Sequence, residues 1–465
     1  MHTLKNNPFK KSSIFFSISM LQLAGAYLMY PLYIKYFTVE EFGYNDLFNK
    51  SALLLSIIIA FRIHAAMSNL YFDYSNSFAD KKKFMGTLLS FTLISSFITG
   101  IVTLLSGYLI KQTIPLFFTF SAIAIAVQIS LGSLYIFHLR NDSALKQFIV
   151  YNLISILSLF GWQYFAMVFQ NKGFQTIIEI RGYHSLFLIV NTSFALFLKF
   201  GLQWHFSILK KCLQYSIGLL PFVIINWGQL YVDRWYLQGI GGAYEMGIYS
   251  FYLTVGLIHG TIAEAFENAW RPNLIQQLKA GVAGFSDWIK NTQTYLLITN
   301  ATAAGAVLLT ALLSYFINID KFRLYLYLIF PVMILACLKA HVLLILQPMV
   351  FLKKSLSLSI FVAIQLVMLL VSYFIWLKKP DLNILLSINI LVSAFILILM
   401  FMYTQKMSPL PYSLKMFMPS VVFVITCILG WIYTKDTNSY ITAIAAGILG
   451  IQIIPAVIKS VKKLF

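Results

Sequence analysis

Charge is scarce in this chain, and negative charge scarcest of all. Only 11% of the residues are Asp, Glu, Lys or Arg, with 15 acids against 34 bases. A soluble domain carries about a quarter of its residues as charges, so a water-solvated fold of this length is excluded. Cysteine is nearly absent. Cys212, Cys337 and Cys427 lie in or beside apolar segments, too scattered for a disulfide framework or a zinc site. There is no soluble domain, no nucleotide-binding Gly-rich loop and no large outer loop, and these absences remove most enzyme classes.

What fills the chain is hydrocarbon. Sixty per cent of it is hydrophobic and the mean hydropathy is +0.81. A membrane span needs about 20 mainly apolar residues, and the sequence offers fourteen such segments: 14–36, 48–71, 84–109, 114–137, 147–169, 182–200, 214–236, 246–270, 295–317, 323–347, 355–377, 383–404, 415–433 and 439–458. Twelve spans remain the alternative, if two weak segments pair off at the interface. The first segment is too long for a signal peptide and has no small-residue cleavage site, so it reads as a span. The fold class is an all-α polytopic membrane protein.

A net charge of +19 would point to nucleic acid in a soluble protein. Here its placement matters more, and no nucleic-acid partner is expected. Alternate connections divide the charges: one side holds 21 bases and four acids, the other eleven bases and nine acids. By the positive-inside rule the richer side, with both termini, is cytoplasmic. The longest connection, about 271–294, contains LIQQLKAGVAGFSDWIKN, which reads as an interfacial amphipathic helix.

An internal repeat is faint but placed between equivalent spans. Glu41-Phe42-Gly43-Tyr44, read as a turn, aligns with Glu245-Met246-Gly247-Ile248, 204 positions later. Upstream, Lys35-Tyr36-Phe37 resembles Arg234-Trp235-Tyr236. Six spans per repeat give both copies the same orientation, the parallel-repeat arrangement of transporters. The expected organisation is an N-terminal six-helix lobe (1–200), a C-terminal six-helix lobe (201–404) and two additional spans (405–465).

Three passages together carry a resemblance. They are PLYIKYFTVEEFGYNDLF, FRIHAAMSNLYFDY and LYVDRWYLQGIGGAYEMGIYSFY. The first ends span one with a proline, a basic residue and Glu-Phe-Gly-Tyr; the last has Asp-Arg, a Gly-rich turn and Gly-Ile-Tyr-Ser. The chain resembles the Wzx-type flippases for O-antigen and related polysaccharide repeat units. These belong to the multidrug/oligosaccharidyl-lipid/polysaccharide exporter superfamily. The resemblance spans the whole chain by its pattern of apolar segments, but its motifs cover mainly 27–74 and 226–272.

It implies two six-helix lobes in parallel pseudo-repeat around a central cavity lined by spans one, two, seven and eight. It implies a non-enzymatic secondary transporter of the bacterial inner membrane. The cargo would be an undecaprenyl-diphosphate-linked oligosaccharide, moved from the cytoplasmic to the periplasmic leaflet by alternating access. No cofactor is expected; coupling to H+, Na+ or the membrane potential is. Membrane lipid and glycan-assembly proteins would be its partners. Two other readings stay open: a cation-coupled multidrug exporter of the same fold, and a membrane polysaccharide polymerase or ligase.

Charges inside spans are costly, by about 2.5–3.5 kcal/mol each at a helix centre on insertion scales. Arg62, deep in span two, therefore pairs, snorkels or meets water. A guanidinium facing the cavity would suit a diphosphate. His64 lies about 200° further round the helix, as apt to be a packed histidine as a proton site. Lys339 and His341 in span ten sit at similar depth below Pro331, which could kink that helix, although a lysine stem can snorkel from there. Glu264 and Glu267 are neighbours on one face of span eight. Arg271 can pair with Glu267, leaving Glu264 free to change protonation during transport. Asp233 and Arg234 read either as an interfacial pair beside Tyr231, Trp235 and Tyr236, or as an outer gate that latches to Lys35 or Glu245. Trp227, beside Asn226, is an aromatic that could stack on sugar.

Overall fold

A computed structural model describes residues 29–61, 63–74, 77–109, 116–141, 144–170, 172–280, 284–316, 320–352, 354–410, 412 and 414–434. Among them every regular element is helical, as expected where lipid offers no partner for a backbone amide or carbonyl. Nine helices in this set are long and apolar enough to cross a membrane. The chain is a multi-pass membrane protein. It falls into two compact units, one ending at Gly228 and the other beginning at Gln229.

The first unit contains α1 (29–36), α2 (Val39–Ala60), α3 (Ile63–Leu70), a 3-10 turn (Tyr71–Tyr74), α4 (Phe78–Leu109), α5 (Leu116–Asn141), α6 (Leu145–Val168) and α7 (Phe174–Phe200). It also takes the first part of α8 (Phe206–Gly239), inside which the boundary falls. Helix α5 packs on α2, α4 and α7. Its approach to α7 depends on Gly182, where a Cβ would lie 2.4 Å from the Ser121 hydroxyl and 3.2 Å from the Ser121 Cα. Small residues at such crossings let helix backbones meet, which matters where lipid is as apolar as the interface. Beneath it Ile59, Ile63, Met67, Phe84, Leu88 and Leu131 form a buried core.

Span two is broken. Thr38 starts α2 with a capping box, its hydroxyl taking the Glu41 amide while the Glu41 carboxylate takes the Thr38 amide. The helix then stops at Phe61, whose φ of 43° and ψ of 33° are left-handed. A non-glycine residue there costs about 1–2 kcal/mol. The last turn is held by its neighbours: Ser95 of α4 donates to the Ile59 carbonyl (2.6 Å) and Ser130 of α5 to that of Ser56 (3.3 Å).

The second unit takes the rest of α8, then α9 (Ala243–Ala280), α10 (Phe285–Phe316), α11 (Asp320–Arg323), a 3-10 turn (Leu326–Leu328), α12 (Ile329–Phe351), α13 (Ser355–Trp376), α14 (Leu382–Met407) and α15 (Leu414–Thr434). Helix α12 is its axis, packed by α9, α10, α14 and α15. Of its most apolar window 72% is buried, against 17% for α13. Phe374, Val367 and Leu356 of α13 are exposed, the pattern of a lipid-facing helix.

Several boundaries differ from the hydropathy reading. Glu41-Phe42-Gly43-Tyr44 is not a turn but lies in the opening turns of α2, and Glu245-Met246-Gly247-Ile248 holds the same place in α9. Among the described residues the interfacial helix expected in 271–294 does not appear as a separate element. Helix α9 continues to Ala280 and α10 begins at Phe285. At 38 residues α9 is about 57 Å long, well beyond a bilayer core of about 30 Å. Pro331 does not kink span ten. It is the third residue of α12, where a helix has no amide bond to lose. Spans one (before residue 29) and fourteen lie outside the described residues.

Candidate functional site

Polar side chains gather in a comparable cluster in each unit. In the first, Arg181 of α7 donates from Nη1 to the amide oxygens of Asn45 (2.6 Å) and Asn49 (3.2 Å) on α2, and from Nη2 to the Tyr33 hydroxyl on α1 (2.9 Å). The guanidinium also lies 5.6 Å from the Tyr33 ring centre. Tyr33 in turn donates a short hydrogen bond to Gln163 of α6. The cation ties α7 to α2 and α1, and the Tyr33 hydroxyl extends the network to α6. Phe37, stacked on Tyr33, and Gly182 at the α5 crossing hold its flanks.

In the second unit Asp233 and Arg234, consecutive on α8, are both buried and ion-paired at 2.9 Å. Tyr249 of α9 donates to the other carboxylate oxygen of Asp233 at 2.5 Å. The Asn389 amide of α14 donates to Tyr249 (3.3 Å), and Tyr373 of α13 donates to Asn389 (2.6 Å). The pair is therefore not exposed at an interface, as one reading of the sequence had it, but is the closed centre of a four-helix network. Buried charges persist where hydrogen bonds satisfy them, and this carboxylate has three donors: the Arg234 amide, the Arg234 guanidinium and Tyr249.

A third polar group lies along α12. His341 is buried and bonds through Nδ1 to the Cys337 carbonyl at 2.7 Å. Asn300 of α10 donates to Ser420 of α15 (2.9 Å), and His259 of α9 bonds the Thr302 hydroxyl (2.9 Å).

The residues singled out in the sequence are dispersed among these features. Trp227 is half-buried, with its indole N–H donating to the Lys50 carbonyl at 3.2 Å. Lys35 is exposed, its ammonium 5.2 Å from the Tyr36 ring centre. Lys339 is exposed on α12, two residues from buried His341. Arg62 and the side chains of His64, Glu264, Glu267 and Arg271 lie outside the described residues. Arg181, Asn45, Asn49, Gln163, Tyr249, Tyr373 and Asn389 went unnoticed in the sequence. The signal available was amide and arginine side chains recurring near the ends of apolar segments, on either side of the boundary.

No protein-family description and no curated protein matches the chain. Solved structures do. The lipid II flippase MurJ in an inward closed conformation aligns with a TM-score of 0.64 at 13% identity, over 96% of this chain and 97% of that one. An inward-facing multidrug resistance transporter of the MATE family, MOP superfamily, gives 0.59 at 12%, over 85% and 97%. An outward-facing one gives 0.51 at 12%, over 87% and 96%. The chain shares the fold of these transporters. At these identities the likeness is one of architecture, and it extends to nearly the whole length of each of these structures.

Proposed function

We propose that this protein is a flippase that carries an undecaprenyl-diphosphate-linked oligosaccharide repeat unit from the cytoplasmic to the periplasmic leaflet by alternating access. The observation that carries this is the alignment with the lipid II flippase over 96% of the chain. The Wzx-like passages around Glu41 and Asp233 narrow the cargo to polysaccharide repeat units. The lobes are assigned to 1–200 and 201–404, with 405–465 appended. The protein is placed in the bacterial inner membrane with both termini cytoplasmic, on the bias of its basic connections. Arg62 is assigned to the diphosphate, with Lys339, Arg271 and His64 as lesser contacts and Trp227 on the sugar. Glu264 is the group whose change of charge releases the cargo, so coupling to H+, Na+ or the membrane potential acts there, with Glu267 paired to Arg271.

A multidrug exporter of the same fold is the second reading, because a multidrug resistance transporter of the MATE family also aligns over 85% of the chain. The test is Arg62→Ala in the native host. Surface glycan is lost while the protein still inserts at wild-type level; normal glycan export in that strain overturns the assignment. Altered drug susceptibility with intact glycan on deletion would select the exporter, and glycan chain growth by the purified protein a polymerase.

A further inference from the structure

The two polar clusters are built on one plan. Each joins the first, second, fifth and sixth spans of its unit: α1, α2, α6 and α7 in one, α8, α9, α13 and α14 in the other. The registers coincide. Asn45 and Tyr249 are each the seventh residue of their helices. Gln163 and Tyr373 are each the nineteenth. Arg181 and Asn389 are each the eighth. The identities changed while the places were kept.

What differs is charge. The second cluster holds one guanidinium and one carboxylate, and the pair cancels. The first holds the Arg181 guanidinium with amides and a phenol only, and among the described residues no carboxylate pairs with it. The acids nearest in the chain are engaged elsewhere: Asp46 with Lys50 at 3.5 Å, Glu179 with Gln175 at 3.4 Å. A guanidinium has five N–H groups; Asn45, Asn49 and Tyr33 take three of Arg181's. Beside them, the Gln163 amide nitrogen is buried without a partner, in a residue 1% exposed. Unused donors on a half-buried cation and an orphaned buried donor, linked through the Tyr33 hydroxyl, make a cluster of one polarity. It wants an anion with several acceptor oxygens, and Arg recognises phosphate in this way.

We propose that Arg181 and Gln163 form an oxyanion site that takes a phosphate group, either from an anionic phospholipid headgroup or from the diphosphate of a lipid-linked cargo. Only the second source rests on the flippase reading. The bound phosphate does for Arg181 what Asp233 does for Arg234.

The test uses the full-length protein, purified in phosphate-free detergent. Phosphatidylglycerol and a short-chain polyprenyl diphosphate are titrated separately, with binding read by thermal shift and by native mass spectrometry. The decisive variant is Gln163→Glu, which supplies the missing carboxylate from inside. It is expected to be at least as stable as wild type without probe and to bind about tenfold more weakly or worse, as when one charge-assisted contact is lost. Should it not fold, Gln163→Met removes the donor without adding charge and is expected to weaken binding in the same direction. Saturation by the diphosphate alone identifies the cargo as the source, and saturation by phosphatidylglycerol identifies the membrane. No saturable shift in wild type with either probe overturns the site, as does wild-type affinity in whichever Gln163 variant folds. Binding on the purified protein together with normal surface glycan in an Arg62→Ala strain would overturn the flippase reading and leave this site standing.

Discussion

Tyr249 on α9 donates a 2.5 Å hydrogen bond to the carboxylate of Asp233 on α8, and thereby links the ion pair made by two consecutive residues of one helix to a second helix. Without that link, Asp233 and Arg234 would be a local pair worth little. With it, and with Asn389 and Tyr373 behind, the pair is a tie between four helices.

Removing one charge is therefore worse than removing both. Asp233→Ala leaves the buried Arg234 without its counter-charge, a loss of about 3–5 kcal/mol where a buried pair is broken from one side. The double variant Asp233→Ala with Arg234→Leu removes charge and partner together and is expected to be markedly less damaging than the sum of the singles. Thermal unfolding in detergent measures both. Additive losses would mean that the pair is not coupled as the geometry requires. Tyr249→Phe is expected to cost less, about 1–3 kcal/mol for a donor lost to a buried charged acceptor.

The break in span two makes its own forecast. Phe61 is left-handed, so Phe61→Gly relieves backbone strain but loses the ring contact with Phe91 at 6.1 Å. It should be close to neutral. Phe61→Val keeps the strain, adds a β-branched side chain and lowers the melting temperature. Ser95→Ala takes away the hydroxyl that satisfies the Ile59 carbonyl, at about 1–3 kcal/mol for a buried acceptor left unmet. A Phe61→Gly protein as unstable as Phe61→Val would show that the ring contact, not the backbone, governs the site.

Gly182 is the close-packing point beside Arg181. An alanine there would place its Cβ 2.4 Å from the Ser121 hydroxyl oxygen and 3.0 Å from the Ser121 Cβ. Overpacking of this kind costs about 1–3 kcal/mol. Gly182→Ala alone should lower the yield of folded protein, and adding Ser121→Gly should recover part of it, because the nearest two atoms are then gone. Failure of Ser121→Gly to rescue would place the α5–α7 contact elsewhere.

Hydropathy located the spans well and their ends poorly, and the polar clusters lie at those ends. The apolar reading began span six at 182, which left Arg181 in the loop; α7 begins at Phe174 with Gln175, Thr176 and Glu179 in its first turns. Span two was begun at 48, which cut off Asn45; α2 begins at Val39. A hydropathy window cannot see a helix whose first turns are polar and capped, although Thr38-Val39-Glu40-Glu41 is a legible capping box. The repeat between Glu41 and Glu245 was visible, but its meaning was not, since both segments are helix openings and not turns. The break at Phe61 left no sign at all. Neither glycine nor proline stands there, and the residues that hold it, Ser95 and Ser130, lie in other helices.

Helix α13 offers the cleanest test of orientation. Its 22 residues span about 33 Å, close to the hydrocarbon thickness, and exposed lysines stand at both ends. Lys354 caps its start; Lys378 and Lys379 follow its end. The positive-inside bias places Lys354 in the cytoplasm and Lys379 outside. The three native cysteines are buried, so a single added cysteine can be read without removing them. Lys379→Cys is expected to react with a membrane-impermeant maleimide in intact spheroplasts, and Lys354→Cys only after permeabilisation. The reverse pattern would invert the whole topology inferred from the basic connections. Labelling of both from outside would instead remove α13 from the membrane, against its exposed apolar surface of Phe374, Val367 and Leu356.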